Sequence, residues 1–318
     1  MTVLAREIER RRPVASEPVT TPPGARPGRR RGAAHWPYLL PVLAALAIWV
    51  YGPLLATVAL SFVRWHLSSG PATFVGLANY HALLDDPAFA NSAWRTVLFA
   101  AGMLPPAIVL PLLLAIALWK RPGPAAFVYR CVLFAPMILA PVATAISWQF
   151  VLNPLQGVLH SMFAVVGVST PNWLGDPHTA LWAIVAITSG KVIALNVLLL
   201  SAALSTVQAD TVDAARIDGA SELQISWLVL VPQLRRTLLL LVALTLVYAG
   251  QWSFTDVAVL TQGGPTGSTD TIYYRLYTYG FTYFDSGRAA AGSTLLVIAL
   301  AIPVGLIALL RRRHRAGA

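Results

Sequence analysis

Long stretches without a charged side chain are the feature of this sequence that most constrains its fold. Asp, Glu, Lys and Arg are absent from four intervals, which lie between Arg31 and Arg64, Arg95 and Lys120, Arg130 and Asp176, and Arg288 and Arg311. A helix that crosses the hydrocarbon core of a bilayer needs about 20 apolar residues, and these intervals reach that length. They are continuously apolar rather than alternating, which favours helices over the strands of a barrel. The sequence therefore predicts an all-α integral membrane protein.

The charges outside these intervals predict the number and direction of the spans. Six transmembrane helices are predicted at residues 36–61, 94–118, 127–151, 180–204, 237–255 and 289–310. Lys and Arg gather before the first, after the second, after the fourth and after the sixth, whereas the other loops hold most of the Asp residues. The positive-inside rule then places the N and C termini in the cytoplasm. Residues 1–31, rich in Arg, Pro, Ser and Thr, predict a disordered basic tail ahead of one membrane domain at 32–318.

The predicted cytoplasmic loop at 207–235 has an unusual pattern of small and charged residues. It contains the stretch Asp213-Ala214-Ala215-Arg216-Ile217-Asp218-Gly219-Ala220-Ser221 and continues to Val231-Pro232. Gly219 can adopt a positive φ and turn the chain, and Ser221 is a suitable N-cap for a following helix. The pattern predicts two short helices that meet at Gly219, with Pro232 where the chain re-enters the membrane.

This stretch resembles the "EAA" loop of the permease subunits of binding-protein-dependent ABC importers, in the carbohydrate branch with maltose-type and glycerol-phosphate-type members. The loop pattern is matched at Ala214, Ala215, Asp218, Gly219, Ala220 and Pro232, with Asp213 in place of the usual Glu and Arg216 inside the motif. Four further segments resemble motifs of the same family: residues 74–80, Arg130 with residues 133–136, residues 261–269 and residues 287–291. Their order and spacing extend the resemblance over nearly the whole membrane portion.

The resemblance implies a type I ABC importer permease in the inner (plasma) membrane, a multi-pass transport subunit without catalytic residues, cofactor or metal of its own. It implies a heterodimer with a second homologous permease. Two copies of a nucleotide-binding ATPase subunit would carry ATP and Mg²⁺, and an extracytoplasmic binding protein would deliver a sugar or sugar derivative. Lipid, and not nucleic acid, is the other expected partner. The loop would couple this chain to the ATPase.

The resemblance also implies a substrate path on the spans that flank this loop. Residues that share a helical face there are Thr188, Lys191 and Leu195 on the fourth span and Thr245, Tyr248, Trp252 and Asp256 on the fifth, with Gln251 at the margin. The aromatic rings suit stacking on a sugar. In the alternative, the aromatics pack against the partner permease, and Lys191 pairs with a carbonyl or with a carboxylate of another span.

Two other functions remain open at this stage. The same machinery could import glycerol-phosphate-type solutes, which the motifs do not separate from sugars. A secondary transporter is less favoured, because such proteins usually carry intramembrane carboxylates, and the predicted span interiors contain no Asp or Glu.

Overall fold

The structure is a computed structural model that describes residues 36–66, 69–121 and 123–316. The predicted tail at 1–31 lies outside the described residues. The chain divides into two compact units, Met1–Pro53 and Leu54–Ala318. In the first, the described part is helical: α1 (Trp36–Leu46) continues into a π-helical turn, π1 (Ala47–Tyr51).

Within the described residues, the second unit consists of helices, one hairpin and connecting loops. Helix α2 (Gly52–Leu60) leads into an antiparallel pair, β1 (Val63–His66) and β2 (Ser69–Phe74), with Val63 opposite Phe74 and Arg64 opposite Thr73. The remaining elements are α3 (Ala78–Leu84), α4 (Pro87–Lys120), α5 (Pro124–Ile138), α6 (Pro141–Val151), α7 (Val158–Val165), α8 (Ala180–Leu204), α9 (Ala209–Ile217), α10 (Glu222–Gln224), π2 (Ile225–Leu230), α11 (Val231–Leu260), α12 (Ile272–Tyr277), π3 (Thr278–Thr282) and α13 (Ser286–Ala316). The hairpin was not predicted from the sequence.

Four helices within the described residues are long and apolar enough to cross a membrane. They are Tyr38–Leu60, Pro87–Lys120, Ala180–Leu204 and Glu222–Leu260, and Ser286–Ala301 is a shorter apolar helix. The fourth predicted span has the bounds of α8, and the second lies inside the longer α4. Proline at the first turn and the Asp86 side chain, which accepts from the Ala88 amide at 2.8 Å, start α4 seven residues before the predicted position.

The third predicted span, residues 127–151, is wrong as one continuous helix. Helix α5 ends at Ile138, Leu139 and Ala140 are extended, and α6 begins at Pro141. Proline disfavours the helical conformation in the residue before it, which accounts for the break.

The fifth predicted span is wrong at both ends. A continuous helix runs from Glu222 to Leu260, so the loop is followed by one long helix rather than a second short helix. Pro232 lies inside it, as the second residue of α11 after π2, although proline lacks the N–H of a regular helical residue. Because the helix extends beyond residue 255, Asp256 lies within it, and the expectation that span interiors contain no acidic residue is also wrong.

Helices α4, α8 and α11 pack against one another around two apolar clusters. One contains Phe99, Met103, Ile184, Trp252 and Val257, together with neighbours from the same helices and from the α6 region. The other lies at the opposite end of these helices and joins them to the α9 region. These clusters fix the elements on which both groups of predicted site residues lie.

Candidate functional site

The predicted coupling loop forms a compact turn between α9 and α10. Gly219 has a φ of 82°, as the sequence predicted, and a Cβ added there would meet no atom within 4 Å. Ser221 caps the next helix in a reciprocal pair: its hydroxyl accepts from the Gln224 amide at 3.3 Å, and its own amide donates to the Gln224 side chain at 2.8 Å. The backbone geometry predicted for the turn is thus confirmed.

Apolar contacts hold this segment against the ends of the long helices. Val212 on α9 is 2% exposed and belongs to the cluster that contains Leu204, Ile225, Leu230 and residues of α4. Ala215 and Ala220 also pack against this cluster. Buried side chains therefore attach the segment to α4, α8 and α11, so the position of the segment depends on the positions of these helices.

The opposite face of the segment is exposed. The exposed residues there are Asp213, Ala214, Arg216, Ile217, Asp218 and Gly219, and Pro232 farther along is exposed as well. Ile217 is 86% exposed, although it is a large apolar residue. Ile217 was not predicted as a site residue, although a large apolar side chain at the tip of a charged loop is a signal of a contact surface.

Charged side chains connect the segment to the end of α4. Arg216 lies between two carboxylates, with Nη1 at 3.2 Å from Asp213 Oδ1 and Nε at 3.1 Å from Glu222 Oε1. Lys120 Nζ donates to the Glu222 carbonyl oxygen at 3.0 Å and lies 3.3 Å from Oε2. Lys120 and Glu222 were not predicted as site residues. These pairs are exposed and each stabilises the protein weakly, but together they join three elements.

A buried ion pair lies between α8 and α11. Lys191 Nζ is 2.8 Å from Asp256 Oδ1, and the two side chains are 5% and 0% exposed. The Thr188 hydroxyl lies 2.7 Å from Asp256 Oδ2. The structure thus brings these three predicted residues together, in the carboxylate pairing kept open for Lys191 as the alternative to substrate contact.

The other predicted path residues lie along the same two helices. Tyr248 and Trp252 stack on each other, with ring centroids 4.8 Å apart and planes inclined by 22°. Trp252 is buried in the core and Tyr248 is half-buried, whereas Gln251 is exposed and Leu195 half-buried. Thr245 is fully buried, and its hydroxyl lies 3.3 Å from Asn196 Nδ2.

The loop between α11 and α12 is held by a second polar cluster. Asp270 is buried, pairs with Arg275 and accepts from the Ser92 hydroxyl at 3.0 Å. Burial raises the pKa of Asp270, and the Arg275 guanidinium only partly opposes that rise. The adjoining cleft of about 360 Å³ is lined by residues that include Gln262, Tyr274 and Tyr283. Within the described part of the chain, no group of three or more His, Cys, Asp or Glu side chains could hold a metal ion.

Comparison with known families identifies the protein class. Residues 82–315 match the family described as the binding-protein-dependent transport system inner membrane component. The chain belongs to this family. It is therefore a multi-pass inner-membrane permease of an importer, as the sequence motifs predicted, and this family consists of non-catalytic transport subunits.

Curated relatives agree with this assignment. The permease is 31% identical over 264 residues to the sn-glycerol-3-phosphate transport system permease protein UgpA of Agrobacterium fabrum, an alignment that covers 82% of this chain and 89% of that protein. It is 30% identical to the probable ABC transporter permease protein YurN of Bacillus subtilis, with 83% and 91% covered.

A solved structure shares the fold of the permease. A chain of a bacterial ABC transporter involved in the import of the acidic polysaccharide alginate superposes with a TM-score of 0.77 at 19% identity, covering 87% of this chain and 94% of that chain. At this identity the likeness speaks for the fold alone.

Proposed function

We propose that the permease imports a sugar or sugar derivative, delivered by an extracytoplasmic binding protein and driven by ATP hydrolysis on a separate subunit. The observation that carries the coupling part of this proposal is the turn at Gly219: an exposed face on a segment whose buried face is anchored to three membrane helices. A push on that exposed face would be transmitted to α4, α8 and α11, because a packed interior transmits strain.

Six spans with both termini in the cytoplasm are part of the proposal. Helices α5 and α6 together form the third span, and α13 forms the sixth. Basic residues flank the cytoplasmic ends, as the positive-inside rule requires. The membrane domain then comprises residues 32–318, with the coupling loop at 207–235, and the basic tail at 1–31 precedes it.

The proposed complex contains a second, homologous permease and two nucleotide-binding subunits that hold ATP and Mg²⁺. Contacts with one of these subunits are proposed for the coupling residues Asp213, Ala214, Ala215, Arg216, Asp218, Gly219, Ala220 and Pro232. Exposed Ile217 would add an apolar contact at the same interface. The inward packing of Ala215 and Ala220 gives these two a role in seating the segment beneath that contact.

The substrate path is proposed along α8 and α11, at Thr188, Lys191, Leu195, Thr245, Tyr248, Gln251, Trp252 and Asp256. Tyr248, which is half-buried, and Gln251, which is exposed, would contact the sugar, and Trp252 would stack behind Tyr248. Thr188, Lys191 and Asp256 would support this wall from inside through their mutual bonds.

A sugar is favoured by the stacked aromatic pair, because flat rings with polar edges suit sugar rings. A glycerol-phosphate-type solute is the second candidate, favoured by the name of the Agrobacterium relative. Uptake of labelled sugars and of labelled glycerol 3-phosphate by cells with and without this subunit tests the choice. Loss of sugar uptake alone supports the proposal, and loss of glycerol-phosphate uptake alone overturns the substrate assignment.

A further inference from the structure

The second long helix, α4, contains three prolines in its membrane portion. Pro105, Pro106 and Pro111 each lack the N–H that would donate to the carbonyl four residues earlier. For Pro111 that carbonyl belongs to Ala107. Both residues are buried in the bundle rather than on its surface. A buried carbonyl without a donor is costly in a membrane protein, because no water replaces the missing bond.

A side chain from the neighbouring helix supplies the missing donor. Asn196 on α8 is fully buried, and its Nδ2 donates to the Ala107 carbonyl oxygen at 2.6 Å. The same amide nitrogen lies 3.3 Å from the Thr245 hydroxyl on α11. Because a carbonyl only accepts, the amide nitrogen and not the amide oxygen must face Ala107. One side chain therefore joins all three central helices at the carbonyl that Pro111 frees.

The prolines lie in a part of α4 that is close to α8. A Cβ added at Gly102 would lie 2.5 Å from the Trp182 ring, so the helix approaches its neighbour closely about one and a half turns before Ala107. Helices α8 and α11 are also those that lead into and out of the coupling segment. The Asn196 bonds thus lie between the interrupted part of α4 and the two helices that carry the contact to the ATPase.

We infer that Asn196 is a positioning residue whose amide replaces the N–H absent at Pro111 and keeps the interrupted part of α4 in register with α8 and α11. This role rests on the proposed coupling function. It requires that the side chain matter only while Pro111 is present. With alanine at position 111, the backbone N–H can bond Ala107 itself, and the Asn196 bond becomes redundant.

The test is a double-mutant cycle in the assembled importer in lipid nanodiscs. Asn196→Leu should leave basal ATPase activity largely intact and lower the binding-protein-stimulated activity and the uptake per ATP about tenfold, as expected for about 1.4 kcal/mol from one buried bond. Adding Pro111→Ala to Asn196→Leu should restore most of the stimulated ATPase activity and most of the uptake per ATP. Pro105→Ala is the matched control. It supplies no N–H to the Ala107 carbonyl, so it should restore neither the stimulated ATPase activity nor the uptake per ATP.

Three results would overturn the inference: normal coupling in Asn196→Leu, an equal loss in the Pro111→Ala background, or equal rescue by Pro105→Ala. If Asn196→Leu fails to assemble, assembly yield becomes the readout of the same cycle, with the same expectations. The thermal midpoints of the wild type, Asn196→Leu, Pro111→Ala and the double variant report on the Ala107 bond even if the wild-type complex shows no ATP-dependent uptake. Such a wild-type result would refute the proposed function instead.

Discussion

Replacing Lys191 with methionine should destabilise the protein strongly, because it leaves Asp256 without its cation. The two groups are 2.8 Å apart and 5% and 0% exposed. Removing one member of a buried ion pair typically costs about 3–5 kcal/mol, since the remaining charge stays buried without compensation. The nearby Thr188 hydroxyl can still donate to Asp256, but a single neutral donor replaces only part of the lost attraction.

A second substitution distinguishes the loss of one charged partner from the loss of the whole ion pair. In Lys191→Met/Asp256→Asn, no net charge remains and the amide can still accept from Thr188, so most of the lost stability should return. Lys120→Met is the matched control: Lys120 and Glu222 are 27% and 53% exposed, and a surface pair is worth at most about 1 kcal/mol.

Denaturant unfolding of the purified protein in mixed micelles, together with abundance in membranes, measures these effects. The expected order of stability is wild type, Lys120→Met, the double variant and then Lys191→Met. A stabilising role of the Lys191–Asp256 pair is contradicted if Lys191→Met is as stable as Lys120→Met, or if adding Asp256→Asn to Lys191→Met lowers the stability further instead of restoring it.

Three further changes test the coupling turn, the topology and the substrate wall. Gly219→Val should abolish transport with normal membrane insertion, because positive φ costs a β-branched residue about 1–2 kcal/mol, whereas Gly219→Asn should retain most activity; equal activity of the two would contradict the turn. In a Cys131→Ser background, an impermeant thiol reagent should label Gly267→Cys but not Ser221→Cys in intact cells, and labelling of the latter would refute the six-span topology. Trp252→Ala should impair uptake while basal ATPase is largely retained, and normal uptake with unchanged substrate preference would remove Trp252 from the path.

The segments that sequence located well are those governed by local rules. The bounds of α8 follow from a predominantly apolar run in which Lys191 is the only charged residue, and the turn at Gly219 follows from the backbone freedom of glycine and the capping ability of Ser221. The break before Pro141 had a local signal too, because the residue before proline is rarely helical.

The predictions were wrong or incomplete at residues whose environment is set by a partner that is distant in the sequence. The fifth span was predicted to end at residue 255, but the helix continues through Asp256, whose buried carboxylate is neutralised by Lys191, far away in sequence. Likewise, nothing near Asn196 in the sequence indicates that it bonds Ala107. Each of these pairings depends on how three helices pack, which periodicity alone does not specify.

The most direct test of the account is ATP-driven uptake by proteoliposomes that contain this permease, its partner permease and the nucleotide-binding subunits. Labelled sugar bound to the binding protein is presented outside, and ATP with Mg²⁺ is enclosed inside. We expect accumulation that requires both ATP and the binding protein and that is lost with Gly219→Val. Accumulation driven by an ion gradient without ATP, or by this chain alone, would contradict it.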